Sequence, residues 1–431
     1  MSKSPKIAFL GMTHLGLCSA VAAASKGFET LGFDFDAGLI AAIDAGKLPV
    51  KEPELDDLLR DNRARIAFTT DTKRLAECDL IYVAPDVPTD DSGQSDLAML
   101  DKLLGAVADS ARADAIVVVL SQVPPGFTRA RQRPGRPVYY QVETLVFGRA
   151  VERATKPERF IVGCPGDPAE PLPPPLATYL GAYGCPILPM RLESAELAKI
   201  SINCCLVASI AVANTLAELC ERIGADWLEI APALKLDARI GQHAYLAPGL
   251  GIAGGNLERD LATVIRFSEE YGTEASLIRA FLTNSRHRKD WPLRVLHGEL
   301  LAHKSDARLG ILGLAYKENT HSVKNSPSVA LIRHLGPWKL QVYDPVVPGS
   351  AVPHPATRST ASALEAAAGV DALAIMTPWP EFRSIAPADL AKAMRGRLVL
   401  DPFRVLDANA ARAAGLNRRT LGIAPRGAVP C

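Results

Sequence analysis

The sequence predicts an α/β protein in which two doubly wound sheet domains are joined by a central helical domain with one long helix. Three observations carry that expectation. Short apolar runs alternate with helical patterns over the first half, and a second such block begins at Arg308. Between them, Glu193 to Ile223 holds no glycine or proline and repeats its apolar residues at helical spacing. Alternating strands and helices predict parallel sheets covered by helices on both faces.

Taken in order, Lys6 to Gly11 reads as a buried strand and Leu17 to Lys26 as an Ala-rich helix. Thr30 to Phe33 is a second strand ending at Asp34, and Leu80 to Ala84 and Ala115 to Leu120 are two more. Pro124–Pro125 breaks the pattern, and Pro171 to Pro175 reads as a surface loop. Glu193 to Ile223 forms the long helix, and helical patterns continue from Leu257 to His303. Leu309 to Leu314, Leu340 to Tyr343, Ala372 to Met376 and Leu398 to Leu400 are the strands of the second block. The implied boundaries are 1–190, 191–303 and 304–431.

Composition narrows the function classes. The chain has 431 residues, 48% apolar and 22% charged, which excludes disorder and collagen-like repeats. Its 48 basic against 47 acidic residues leave a net charge of +1, so no global field favours DNA, RNA or an anionic membrane. No uninterrupted apolar run has the length of about 20 residues that a bilayer needs, and no secretory signal opens the chain. A cytoplasmic protein without a membrane or nucleic-acid partner is expected. The eight cysteines (Cys18, Cys78, Cys164, Cys185, Cys204, Cys205, Cys220 and Cys431) form no CxxC pair. Their scatter predicts reduced, mostly buried thiols, with no disulfide frame and no metal site.

The turn after the first strand, Gly11-Met12-Thr13-His14-Leu15-Gly16, matches G-x-G-x-x-G except that Thr13 replaces the second glycine. That glycine normally admits a pyrophosphate close to the backbone, and Thr13 hinders this approach without forbidding it. Asp34 stands where a carboxylate pairs with ribose hydroxyls, which favours NAD over NADP. The same turn is also compatible with a sheet domain that binds nothing.

Lys199 and Asn203 lie one helical turn apart and share a face, with Glu196 close to it. They fit either a site or a solvated surface. Arg239-Ile240-Gly241 is followed by a glycine-rich loop from Pro248 to Asp260 that opens a helix, a form suited to close ligand approach. Farther on, Lys317 and Lys324 flank a helix N-terminus that opens at Ser326-Pro327, a candidate diphosphate cradle or a solvated loop.

In order along the chain, GMTHLGL with Asp34, KLPVKEPELDDLL, SQVPPGFT, ESAELAKISINCCL, RIG with the PG-rich loop, LGLAYKENT, SPSVALI, VYDP, TPWPEF and DPFRVLD resemble the UDP-glucose/GDP-mannose dehydrogenase family over almost the full length. The resemblance implies a Rossmann-like NAD-binding domain at 1–190, a central dimerisation domain at 191–303 and a nucleotide-sugar (UDP) domain at 304–431. It implies a homodimer through the central helix and NAD-dependent oxidation of a nucleotide-sugar alcohol for polysaccharide biosynthesis or related metabolism. Carried onto this sequence, Gly11, Thr13, Gly16 and Asp34 would line NAD. Lys324, where the family prefers arginine, would join them. Lys199 and Asn203 match the helix pair that stabilises alkoxide and holds a water. Asp260 matches the aspartate closing the loop motif, and Glu143 the acid of P-E-F-L. Gly254, Gly255 and Lys317 fall on the substrate side. Arg239 matches an arginine that in relatives can reach the partner subunit's substrate.

The departures bear on the chemistry. The family loop is G-G-x-C-x-P-K-D, and here Asn256, Glu258 and Arg259 stand at the cysteine, proline and lysine positions. An amide forms no thiohemiacetal or thioester. Phe147 stands at the second glutamate of the P-E-F-L-x-E motif, and Gln122 at the threonine of S-T-V-P. These losses fall on the second oxidation and its hydrolysis, so the reading is a two-electron oxidoreductase, with Asn256 able to hydrogen-bond the sugar oxygen. An isomerase or epimerase, a nucleotide-sugar or NAD-binding protein without activity, and a four-electron dehydrogenase with another nucleophile are the alternatives. Cys204 and Cys205 point about 100° apart on the helix, so at most one could face the site.

Overall fold

In the computed structural model, residues 4–90, 93–352 and 354–424 are described, so Cys431 lies outside the described residues. The chain divides into two compact units, Met1–Ile202 and Asn203–Cys431. In the first, β1 (Ile7–Leu10) is buried at every position, as a strand covered on both faces must be. It is flanked by β2 (Thr30–Phe33) and β4 (Leu80–Val83), also wholly buried. With β3 (Ile66–Thr69), β5 (Ile116–Val119), β6 (Val138–Gln141), β7 (Phe160–Cys164) and β8 (Ile187–Arg191), they form an eight-stranded sheet of order β3-β2-β1-β4-β5-β6-β7-β8. All neighbours run parallel except β6 and β7, which are antiparallel. The strand order reverses between β1 and β4, which places the ligand crevice at the C-terminal ends of those strands.

The second unit repeats the plan. Strands β9 (Arg308–Leu312), β10 (Lys339–Tyr343), β11 (Thr357–Ser359), β12 (Ala372–Ile375), β13 (Leu398–Leu400) and β14 (Asn417–Arg419) form a parallel sheet of order β11-β10-β9-β12-β13-β14. Its crevice falls between β9 and β12. The α/β class with two parallel-sheet domains and a central helical region is as the sequence predicts.

The long helix runs Leu192–Ile223. Leu192 and Ala195 pack into the core of the first unit. In the second unit Val207 and Ala211 pack with Leu261 and Phe281, while Ala213, Ala217 and Cys220 pack around Trp227. The expectation that no segment could span a bilayer needs correction: by length and composition this helix is long and apolar enough. Scattered polar residues interrupt the apolar run in sequence but do not end the helix. The pattern from Leu257 onward resolves into helices Asn256–Tyr271, Ser276–Lys289 and Trp291–Leu296 and a π-turn, His297–Leu301. Gly272, at φ +67, ends the first of these in the left-handed cap that glycine tolerates.

Two further readings change. The proline run is not wholly loop: Pro174 opens the helix Pro174–Gly181, where a missing N–H is harmless. The first helix starts at His14 rather than Leu17, directly after the glycine turn.

Asp371 shows how the second sheet is secured. Its carboxylate accepts from Arg308 N (2.9 Å) and Lys304 Nζ (2.9 Å) and pairs with Arg395. Burial pushes this carboxyl up, but the bonds from Arg395, the Arg308 amide and Lys304 outweigh burial and hold it well below the usual range. A depressed carboxyl stabilises the fold above its unfolded pKa of about 3.9 and loses that contribution as pH falls toward the folded value. Asp371→Asn is expected to lower unfolding stability at pH 7 by about 2–3 kcal/mol. In urea titrations the gap from wild type should narrow steadily below about pH 4, because protonation removes the same interaction from the parent.

Candidate active site

The first site is built on the turn after β1. Gly11 takes φ +91, and a Cβ there would stand 2.8 Å from Pro85 Cα, so the turn requires glycine. A Cβ on Gly16 would collide with the Gly11 carbonyl oxygen, which fixes close packing of helix His14–Ser25 on the turn. Asp34, half-buried after β2, accepts Met12 N at 2.8 Å on one oxygen and Asp36 N at 3.1 Å on the other. Each oxygen keeps lone-pair capacity for a ribose hydroxyl. The turn and its acid therefore fit the adenosine side of NAD.

Thr13 is extended (φ −82, ψ −167) as the residue preceding the helix, a conformation that needs no glycine. Its Oγ1 accepts from Asp86 N at 2.8 Å. In return, the Asp86 carboxylate accepts from His14 N, the first amide of the helix, at 2.9 Å. The His14 ring is buried, with Nε2 2.8 Å from Glu52 Oε1. Glu52 also accepts from Gly148 N (2.8 Å) and Ala150 N (3.1 Å). Phe147 stacks on the His14 ring, centroids 4.1 Å apart.

This bracing positions Glu143 on the preceding stretch. Glu143 Oε2 accepts from Leu145 N at 2.9 Å, and Oε1 pairs with Lys199 Nζ at 2.7 Å. Both side chains are mostly buried, 14% and 12% exposed, so the pair is poorly screened by solvent. Glu196, read beside Lys199, instead accepts from Gly126 N (2.6 Å) and Thr128 N (2.8 Å) and ties down the loop after β5. Burial raises its carboxyl, with those hydrogen bonds opposing.

In the second unit, Asn203 Nδ2 donates to Asp260 Oδ2 at 2.5 Å, with both residues buried. Arg259 Nε lies 3.3 Å from Asp260 Oδ1, so the carboxylate has an amide on one oxygen and a guanidinium on the other. Asn256 is the first residue of this helix, one turn before Asp260 and on its face. Gly254 (φ +78) and Gly255 precede it: a Cβ on Gly254 would sit 3.1 Å from the Tyr316 ring, and one on Gly255 would sit 3.3 Å from the Lys324 chain. The loop is sewn to the second sheet domain by Gly254 N to Lys324 O (3.1 Å) and by Asn325 Nδ2 to Gly254 O (2.7 Å) and to Glu258. Lys317 Nζ lies 5.8 Å from the Tyr316 ring centre. Arg239 stands apart, its side chain 89% exposed and paired with Asp237 at 2.6 Å.

Asp344, after β10, holds this second turn. It accepts from Leu314 N (2.7 Å), Ala315 N (3.0 Å) and Trp379 Nε1 (3.0 Å) on one oxygen. Val346 N and Val347 N, each at 2.8 Å, use the other. The seven described cysteines are free, and Cys205 is exposed. Burial, then the charge of Asp260, pushes the Cys204 thiol up to about 11, the opposite of an activated nucleophile.

A doubly wound sheet with a glycine turn after its first strand and an acid closing its second is the frame of a dinucleotide-binding domain. Matches to the NAD-binding domain (residues 5–170), the central domain (193–286) and the UDP-binding domain (310–408) show that the chain belongs to the UDP-glucose/GDP-mannose dehydrogenase family. It is similar to the UDP-glucose 6-dehydrogenase TuaD of Bacillus subtilis, 27% identical over 97% of this chain and 93% of that protein. It is similar to the UDP-glucose 6-dehydrogenase of Rhizobium meliloti, 29% identical over 92% and 94%. Among solved structures, a UDP-glucose dehydrogenase from Pyrobaculum islandicum superposes with a TM-score of 0.82 at 28% identity, over 93% of this chain and 94% of that one. A UDP-D-ManNAc dehydrogenase from Pyrococcus horikoshii gives 0.83 at 25% identity, over 98% and 100%. The chain is an NAD-dependent oxidoreductase acting on a nucleotide sugar.

Sequence reading missed His14, Glu52, Asp86 and Asp344 as parts of the site. His14, Glu52 and Asp344 sit in motifs named above, and an acid directly after a strand was the usable signal for Asp344; Asp86 lies three residues past β4. Replacing one Asp344 oxygen with an amide sets a donor against donors. Asp344→Asn is expected to destabilise by about 3 kcal/mol in chemical denaturation and to weaken UDP binding in titration calorimetry.

Proposed function

We propose that this dehydrogenase performs a single two-electron oxidation of a nucleotide-sugar alcohol, with a UDP-hexose as substrate, and stops at the aldehyde or ketone. The observation that carries the reading is Asn256, an amide at the head of the helix whose next turn holds the Asn203–Asp260 hydrogen bond. The groups suited to alcohol oxidation are present, and the residue at the family's cysteine position has no thiol. The raised thiol of Cys204 supports the same reading. UDP as the nucleotide is supported by the matched UDP-binding domain and by the names of the relatives.

NAD, when bound, accepts the hydride and both electrons of the broken C–H bond. Gly11, Thr13, Gly16 and Asp34 would line it, and Lys324 would join them. Asn203 and Asp260 orient a water that takes the hydroxyl proton, leaving the carbon–oxygen double bond. The Lys199 ammonium offsets charge on the sugar oxygen as that proton leaves. Glu143 holds the Lys199 side chain in place through their 2.7 Å contact. Asn256 donates to the carbonyl oxygen that forms. Gly254, Gly255 and Lys317 line the sugar nucleotide. The working form is a cytoplasmic homodimer through the central helix, where Arg239 reaches the partner's substrate. Exposed Val212, Leu216, Leu219 and Ile223, 40% to 54% accessible on that helix, supply its apolar face.

Incubation with NAD and a panel of UDP- and GDP-sugars is expected to give one NADH per sugar, with an aldehyde or ketone identified by mass. Two NADH per sugar with a uronate would refute the two-electron reading. With the substrate in hand, Lys199→Ala should lower kcat by about 10²–10³-fold. Unchanged turnover would remove Lys199 from the mechanism.

A further inference from the structure

The first helix of a dinucleotide domain offers its N-terminal amides to the pyrophosphate, where unsatisfied N–H groups and the positive end of the helix dipole meet the anion. In this chain that position is contested from within. The His14 amide, first in the helix, donates to the Asp86 carboxylate at 2.9 Å. We propose that Asp86 is an internal competitor for the pyrophosphate of NAD, and so a residue that sets dinucleotide affinity.

Three features hold Asp86 in that place. Its own amide donates to Thr13 Oγ1 at 2.8 Å, a bond that exists only because threonine stands at the second fingerprint position. The preceding Pro85 lies against Gly11, leaving no room for a Cβ between them. Asp86 follows β4, and the helix follows β1, its sheet neighbour, so the carboxylate sits at the switch point itself. The Asp86 backbone is thus tied to the Thr13 side chain, and the Asp86 side chain to the backbone of the next residue, His14. A diphosphate using the same amides would meet a carboxylate of like charge, with the buried Glu52 behind it on the His14 ring. Asp86 is itself exposed, so it can yield the position. The competition therefore lowers affinity rather than closing the site.

The inference rests on NAD occupying the first sheet domain, and the test separates the two. Adenosine and ADP-ribose share the base and ribose, but only ADP-ribose carries the diphosphate. Titration calorimetry on the full chain is expected to give wild-type dissociation constants for the two within about threefold of each other. Asp86→Asn and Asp86→Ala should tighten ADP-ribose and NAD by about tenfold and leave adenosine unchanged. Thr13→Gly, which frees the Asp86 amide, should tighten ADP-ribose by a smaller factor. A wild-type protein that binds ADP-ribose tenfold or more tightly than adenosine overturns the proposal, and that comparison needs no variant. Asp86 variants that fold normally but bind ADP-ribose no better also overturn it. Binding of neither compound, nor of NAD, would overturn the cofactor reading and this proposal together.

Discussion

Both sheet domains depend on one arrangement: a carboxylate at the end of the second strand that captures backbone amides of the turn after the first. In the first unit Gly11 N bonds to Phe33 O at 2.8 Å, and the next amide, Met12 N, goes to Asp34. In the second, Gly313 N bonds to Tyr343 O at 2.8 Å, and the next, Leu314 N, goes to Asp344. Each glycine has positive φ and faces the residue two places beyond the neighbouring strand, Pro85 in one case and Thr377 in the other. A turn that reverses direction leaves amides without sheet partners, and a fixed anion is an economical acceptor for them. The ligand crevices form around turns already held rigid.

Around those turns the two halves differ in what else they satisfy. Asp344 is buried and takes five N–H groups, so it is mainly structural. Asp34 takes two and keeps capacity for a ligand. In the first turn of the helix Asn256–Tyr271, Glu258 bonds to Asn325, with Lys289 at 3.5 Å. Asn325, on the turn of the second sheet domain, also holds the Gly254 carbonyl. Asn325 thus fixes the glycine loop and the first turn of the helix that follows it.

The repeating strands and the long helix were legible because their apolar residues follow the periods of buried elements. Strands β3, β6, β7, β8, β11 and β14 were not: ILPMR is mostly exposed and holds a proline, TRS and NRR are polar, and the short runs of β3, β6 and β7 carry no period that separates a strand from a buried helix turn. The edge strands β8, β11 and β14 owe their place to pairing rather than to burial. Of the site, residues on fixed motif spacing, such as Gly11, Asp34, Lys199 and Asn203, could be found from sequence. The partnerships could not. That Glu143 meets Lys199, or that Glu196 serves the loop after β5, depends on contacts across more than fifty residues, which local patterning does not encode.

Glu52 has a dynamic corollary. Its two oxygens gather the His14 ring and the amides of Gly148 and Ala150, so the stretch bearing Glu143 is anchored to the start of the first helix. Opening that stretch would expose an uncompensated carboxylate and release the Phe147 ring from His14. Glycine turn, helix start and acid-bearing segment should therefore exchange their amide hydrogens together, as one foldon, and breathe in concert rather than piecemeal.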